Sequence, residues 1–184
     1  MTGKGASEQA GKGANGTKLT THSAEETEAL GRRIGRVLRA GDVVALSGDL
    51  GTGKTVLAQG IVAGVGASGY VASPTFTLIR EYTGAVPVAH VDFYRIDDPR
   101  QLDDLGLADV FAGSMLVIVE WAEKAGDWLP AEHLWITLDF GEQENDREIE
   151  VIPRGDRYHG IASSRHGPFG PRGFGSHAPH DDQA

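Results

Sequence analysis

The sequence predicts an α/β sandwich of three layers, with a mainly parallel central sheet and antiparallel hairpins added to it. Three observations carry that prediction. Two short apolar runs, Asp42–Ser47 and Met115–Glu120, lack polar alternation, the pattern of strands buried on both faces. Apolar residues at helical spacing separate such runs, as in a layered α/β domain. A glycine-rich loop joins the first run directly to a helix.

The elements follow in order. Ser23 with Glu26 reads as a capping box, and Leu30, Ile34, Val37 and Leu38 then recur at helical spacing, with Gly41 expected to end the helix. After the strand Asp42–Ser47 and its glycine loop, Lys54 opens a second helix that carries Leu57, Ile61 and Val65 on one face. Phe76–Tyr82 and Val88–Asp92 read as extended segments joined by the turn Thr83–Pro87. A helical segment starts near Pro99 and runs through Leu102 and Leu105, and Met115–Glu120 is the second buried strand. His133–Phe140 and Arg147–Ile152 read as a closing hairpin around polar residues 141–146. No internal repeat is visible. The domain spans residues 17–154; residues 1–16 and 155–184 are Gly-rich, lack apolar periodicity and are expected to be disordered tails. The second tail holds His159, His166, His177 and His180, but their irregular spacing on no rigid element argues against a metal site.

Composition excludes several functions. Without cysteine there can be no disulfide, thiolate zinc site or thiol nucleophile. The run Met115–Val119 is far too short to span a bilayer, and the N-terminus has no apolar signal region, so the expected setting is cytoplasmic and away from membranes. The net charge is −9, and the tails do not cause it: residues 1–22 carry +2 and residues 155–184 are neutral, which leaves the middle near −11. Gripping nucleic acid unaided needs a positive footprint to neutralise phosphates. Any nucleic-acid role is therefore expected to run through a partner protein.

The strongest chemical signal is Gly48-Asp49-Leu50-Gly51-Thr52-Gly53-Lys54-Thr55, which fits the phosphate-binding P-loop pattern in full. Its glycines let successive N–H groups turn toward one anion, and the helix opening at Lys54 adds its unpaired amides and positive dipole end. The Lys54 ammonium reaches the β- and γ-phosphates, while the Thr55 hydroxyl is a hard oxygen ligand for Mg2+. The nucleotide-binding set is thus Asp49, Leu50, Gly51, Thr52, Gly53, Lys54, Thr55 and, next along the helix, Val56.

Hydrolysis needs more: an acid near the magnesium and a group that orients water. Glu120 ends an apolar strand, where parallel sheets gather their ligands, and could hold the magnesium shell or act as a base. Asp92 closes the strand Val88–Val91 and is open to the same two uses, or to a plain turn role. Thr75, in Ser73-Pro74-Thr75, could supply a hydroxyl to the metal from a loop that senses the γ-phosphate, or could simply turn the chain. Asp103-x-x-Gly106 mimics a GTPase motif, but no apolar strand precedes it. Neither Asn15 nor Asn145 is followed by lysine, so guanine recognition by Asn-Lys-x-Asp is absent and ATP is the expected nucleotide.

Four segments in this order resemble the TsaE (YjeE) family: Gly48–Thr55, Ser73-Pro74-Thr75-Phe76-Thr77-Leu78, His90-Val91-Asp92-Phe93-Tyr94-Arg95, and Val119-Glu120-Trp121. The resemblance runs from about Thr17 to Pro153 and shows no departure within the motifs. It implies a weak, magnesium-dependent ATPase needed for threonylcarbamoyladenosine at position 37 of tRNA. Such a protein is implied to dock on a TsaB–TsaD pair and reset it for repeated turnover, touching tRNA only through those partners. It implies phosphate and magnesium roles for Lys54 and Thr55, a switch-loop place for Thr75, and hydrolytic roles for Asp92 and Glu120. Trp121 is implied to flank the nucleotide, though it would serve equally as a core aromatic. Two competing readings remain. A P-loop kinase for a small metabolite needs an arginine-bearing lid; the stretch after Glu120 has no arginine, leaving only Arg95 and Arg100 for one. A nucleotide-dependent interaction module without meaningful turnover is the other.

Overall fold

A computed structural model describes residues 16–69, 71–163 and 167–169. Its sheet contains β1 (Thr17–Thr21), β2 (Val43–Ser47), β3 (Ala67–Ser68), β4 (Ile79–Gly84), β5 (Val88–Asp92), β6 (Leu116–Glu120), β7 (His133–Phe140) and β8 (Arg147–Arg154). Their spatial order is β1-β8-β7-β2-β6-β5-β4-β3. The four central strands β7-β2-β6-β5 run parallel, and the pairs toward either edge are antiparallel. The sheet is therefore mixed, parallel at the centre where the site forms and antiparallel in its wings. β2, β5 and β6 are buried along their whole length, which is why their sequences lack polar alternation.

The two-residue period of these strands divides the core. Val44, Leu46, Val88, Ile118 and Ile136 pack with Leu30 and Ile34 of α1 (Ala24–Gly35) and Leu57 and Ile61 of α2 (Lys54–Gly64). Val43, Ala45, Val91, Val117 and Val119 face the other layer, with Phe93, Leu102 and Leu107. That layer is built from the 3-10 segment Pro99–Leu105 and the short helix α3 (Leu107–Ala112). Helices α1 and α2 touch backbone to backbone. A Cβ at Gly60 would lie 2.1 Å from the Glu28 carbonyl oxygen, and one at Gly31 would lie 2.4 Å from that of Leu57. The helix that leaves the phosphate loop is thus held against a rigid neighbour.

Several boundaries differ from expectation. α1 stops at Gly35, where the next amides turn back on Ile34 and Gly35 in tighter loops, so Gly41 only shapes the following turn. The capping box is partial: Ser23 Oγ accepts from the Glu26 amide, but the Glu26 carboxylate accepts from His22 N–H, one residue before the cap. Phe76–Leu78 is not strand, because the Pro74 carbonyl accepts from both Thr77 and Leu78 N–H and Leu78 adopts φ 62°. The expected disorder from residue 155 is corrected by α4 (Asp156–Ser163), which buries Tyr158 and Ile161 in the core. That helix was masked by flanking Gly and His. The N-terminal tail 1–15 and residues 170–184 lie outside the described residues, as do His166, His177 and His180.

Candidate functional site

The site forms where the central strands end. β2 delivers the chain to Gly48, whose φ of 130° and closeness to β7 admit no side chain: a Cβ would sit 2.1 Å from the Leu138 carbonyl oxygen. Gly53, at φ 99°, turns the chain into α2, whose first-turn amides have no partner within the helix and point into the loop. Thr52 is fully buried and braces the loop, its hydroxyl donating to the Asp49 carbonyl at 2.9 Å. Arg147, from the β7–β8 hairpin, donates to the Thr52 carbonyl at 3.2 Å and ties the loop from outside.

Lys54 is only 4% exposed. Its Nζ donates to the carbonyls of Gly48 and Asp49 at 2.7 Å each and stands 4.0 Å from the centroid of the Trp121 ring. An ammonium has three N–H bonds, so one is left for a ligand. Burial pushes its pKa below the ordinary lysine range, opposed by the carboxylates of Glu120, Glu123, Asp92 and Asp49. Burial raises Glu123 in turn. Trp121 itself has φ 58°, a conformation uncommon for a non-glycine residue, and this turn carries its ring over Lys54.

Register places the two acids side by side: Asp92 at the end of β5 pairs with Glu120 at the end of β6. Both are buried, at 1% and 3% exposure. Asp92 Oδ2 accepts from the hydroxyls of Ser73 and of Thr75, the latter at 2.8 Å, and Oδ1 accepts from Tyr94 N–H at 2.8 Å. Glu120 Oε2 accepts from the Thr55 hydroxyl at 2.9 Å, and Oε1 bonds His90 Nε2 at 2.9 Å. An open cavity of about 490 Å³ is lined by Leu50, Gly51, Gly53, Lys54, Thr55, Val56, Ser73, Thr75, Phe76, Asp92, Tyr94, Glu120 and Trp121.

Residues 21–149 match the family described as "Threonylcarbamoyl adenosine biosynthesis protein TsaE". The chain belongs to the TsaE family. It is 40% identical to the tRNA threonylcarbamoyladenosine biosynthesis protein TsaE of Bacillus subtilis, over 81% of this chain and 94% of that one. Similarity to the TsaE of Mycobacterium leprae reaches 45% identity over 62% of this chain and 77% of the relative. The crystal structure of Bacillus subtilis YdiB superposes with a TM-score of 0.70 at 35% identity, covering 80% of this chain and 92% of that one. The protein is therefore a member of a family that acts in tRNA threonylcarbamoyladenosine biosynthesis. Among the described residues, no helix is long and apolar enough to cross a membrane.

Within this TsaE domain, the expected residues converge. Leu50, Gly51, Gly53, Lys54, Thr55, Val56, Thr75, Asp92, Glu120 and Trp121 line one cavity, while Asp49 and Thr52 brace the loop beneath it. Sequence reasoning assigned no role to Ser73, His90, Tyr94 or Arg147. Ser73 and Tyr94 sit beside expected residues, but their bonds to Asp92 depend on the turn at Pro74 and on the strand end. Arg147 is too distant in sequence to be linked to the loop. A smaller cavity of about 130 Å³ on the other flank of the loop shares Gly51, Gly53 and Val56 and adds Ser23, Thr27, Asn145 and Arg147. Of the two arginines left for a kinase lid, Arg95 stacks at 4.1 Å over Phe76, which lines the cavity, and Arg100 pairs with Asp98 at the surface.

Proposed function

We propose that the protein binds and hydrolyses ATP with Mg2+ and that this cycle serves threonylcarbamoyladenosine formation on tRNA by acting on a TsaB–TsaD pair. The observation that supports this is the meeting, in one cavity, of a phosphate loop with two buried carboxylates and three hydroxyls from adjoining elements. The donor set suits the metal: hydroxyl and carboxylate oxygens match the hard-ligand preference of magnesium, and the chain has no cysteine to draw a softer ion. Thr55, Glu120 and Thr75 would hold it, directly or through water. Bound there, it would neutralise the β- and γ-phosphate oxygens.

The chain's own residues supply the rest. Loop amides and the remaining N–H of Lys54 bind the phosphates, and the α2 dipole adds to that field. Binding a polyanion offsets the desolvation that lowers the Lys54 pKa. Thr75 gives up its bond to Asp92 when it turns to the phosphate side. That frees one lone pair of Asp92 Oδ2, the other staying with the Ser73 hydroxyl, to accept a hydrogen bond from water and orient it for attack. Glu120 keeps the Thr55 hydroxyl directed with its lone pairs toward the cradle. The acidic surface implied by the charge of −9 leaves tRNA to the partners.

The test is phosphate release from ATP by the purified protein with magnesium, set against Lys54→Ala. Release by the parent and none by the variant supports the reading. Phosphate appearing on a metabolite instead of in water would make the protein a kinase, and no nucleotide binding at all would remove the site.

A further inference from the structure

His90 is a buried imidazole that the proposed chemistry leaves unused. It lies at the middle of β5, in the run Val88-Ala89-His90-Val91-Asp92, and is wholly buried. Strand period puts it on the same face as Asp92, and register places it opposite Ile118, one step back from Glu120. Its cross-strand neighbours on that face are Ile118 on β6 and Arg80 on β4, with the Tyr82 ring centroid 6.3 Å away. Nε2 meets Glu120 Oε1 at 2.9 Å, whereas Nδ1 is buried without a hydrogen-bond partner. An ionised carboxylate only accepts, so Nε2 is the donor in this bond. A buried polar atom without a partner is destabilising, so Nδ1 is kept here at a local cost. Local sacrifice of stability of this kind is expected where function requires it.

What the imidazole accomplishes is visible in the two bonds of Glu120. Oε1 is fixed by His90 and Oε2 by Thr55, so both oxygens are bound and the carboxylate plane is set. We propose that His90 is a positioning residue for magnesium-nucleotide binding: it holds Glu120 so that Oε2 faces Thr55 and the phosphate cradle. This rests on the proposed magnesium-ATP reading. Without His90, Glu120 loses one of its two anchors, and Thr55 loses a fixed acceptor for its proton. Partners that orient ligands in this way commonly govern metal affinity by 10- to 100-fold.

The test uses the full chain, with Trp121 fluorescence or calorimetry reporting ADP binding as magnesium is titrated. His90→Leu fills the core but offers no donor, His90→Asn is polar but too short to reach Glu120, and His90→Gln can place an amide N–H near the Nε2 position. We expect ADP affinity without magnesium to stay within about twofold in all three, since Lys54 and the loop are untouched. The apparent magnesium affinity should fall about 10-fold or more in His90→Leu and His90→Asn, and substantially less in His90→Gln. Thermal melting reports whether each variant stays folded, because His90→Leu removes an unpaired buried nitrogen but also leaves Glu120 Oε1 without its donor. Parent-like magnesium affinity in either His90→Leu or His90→Asn overturns the proposal, as does failure of both to fold, which would make His90 structural. Failure of the parent protein to bind magnesium-ADP is a different result and defeats the ATPase reading instead.

Discussion

The two ends of the parallel strands treat a buried carboxylate in opposite ways. Before β2, Asp42 is 3% exposed and is saturated by a cation and a backbone amide: Arg157 Nε and Nη2 donate to its two oxygens at 2.6 Å each, and Arg39 N–H donates at 2.9 Å. At the far end, Asp92 and Glu120 are equally buried but are bonded by hydroxyls, an amide and an imidazole, and they border an open cavity. Burial alone does not distinguish a structural acid from a functional one. The partners do: guanidinium closes a site, whereas hydroxyls that can turn to a ligand leave it usable.

Breaking each end in turn gives distinct outcomes. The largest effect is expected from Lys54→Ala, which removes a charge-assisted phosphate contact worth about 3 kcal/mol, or over 100-fold in ATP affinity by calorimetry. Asp92→Ala and Glu120→Ala should each cut hydrolysis by about 100-fold in a phosphate-release assay while metal-free nucleotide binding persists. Normal hydrolysis in both variants would refute their assignment. At the opposite end, Arg157→Ala leaves Asp42 buried without its cation and should cost about 2–3 kcal/mol in urea unfolding, with ATP affinity unchanged. A truncation after Arg154 should do at least as much damage, because it also removes Tyr158, whose hydroxyl oxygen accepts from Val43 N–H at 2.7 Å.

A smaller effect sharpens the same contrast. His133, at the start of β7, is held below its usual value of 6.5 chiefly by burial, with the Pro130 carbonyl opposing and Arg154 adding to the depression. Between its folded value and 6.5 the unfolded chain binds more protons, so stability contributed by His133 is lost as pH falls through that window. His133→Asn should lose less stability than the parent between pH 7 and pH 5, by about 1 kcal/mol or less, read as the shift in urea midpoint. Equal acid losses in the two proteins would contradict this.

The sequence made the centre of the molecule legible and its margins not. β2, β5, β6 and α2 follow from apolar runs and a loop motif whose residues are adjacent in the chain. β1, with the sequence Thr-Lys-Leu-Thr-Thr, becomes a strand only through pairing with β8, and the two-residue β3 exists only through β4. α4 was hidden because Tyr158 and Ile161 are its buried anchors within a stretch of Gly, His and Ser. At the site, Lys54, Thr55, Asp92 and Glu120 stood out because motif and strand end announce them. His90 did not: it reads as one polar interruption of an apolar strand, and only the cross-strand diagonal to Glu120 gives it meaning. Arg147 reaches the Thr52 carbonyl across 95 positions, a contact that no local pattern encodes.

In the reading proposed above, this cavity turns over ATP in the service of partner proteins. The direct measurement is the ATP hydrolysis rate of the purified protein alone and with a matched TsaB–TsaD pair plus tRNA. Slow hydrolysis alone, clear stimulation by the pair, and loss of both with Lys54→Ala are expected. An unchanged rate with a matched, active pair would contradict that reading.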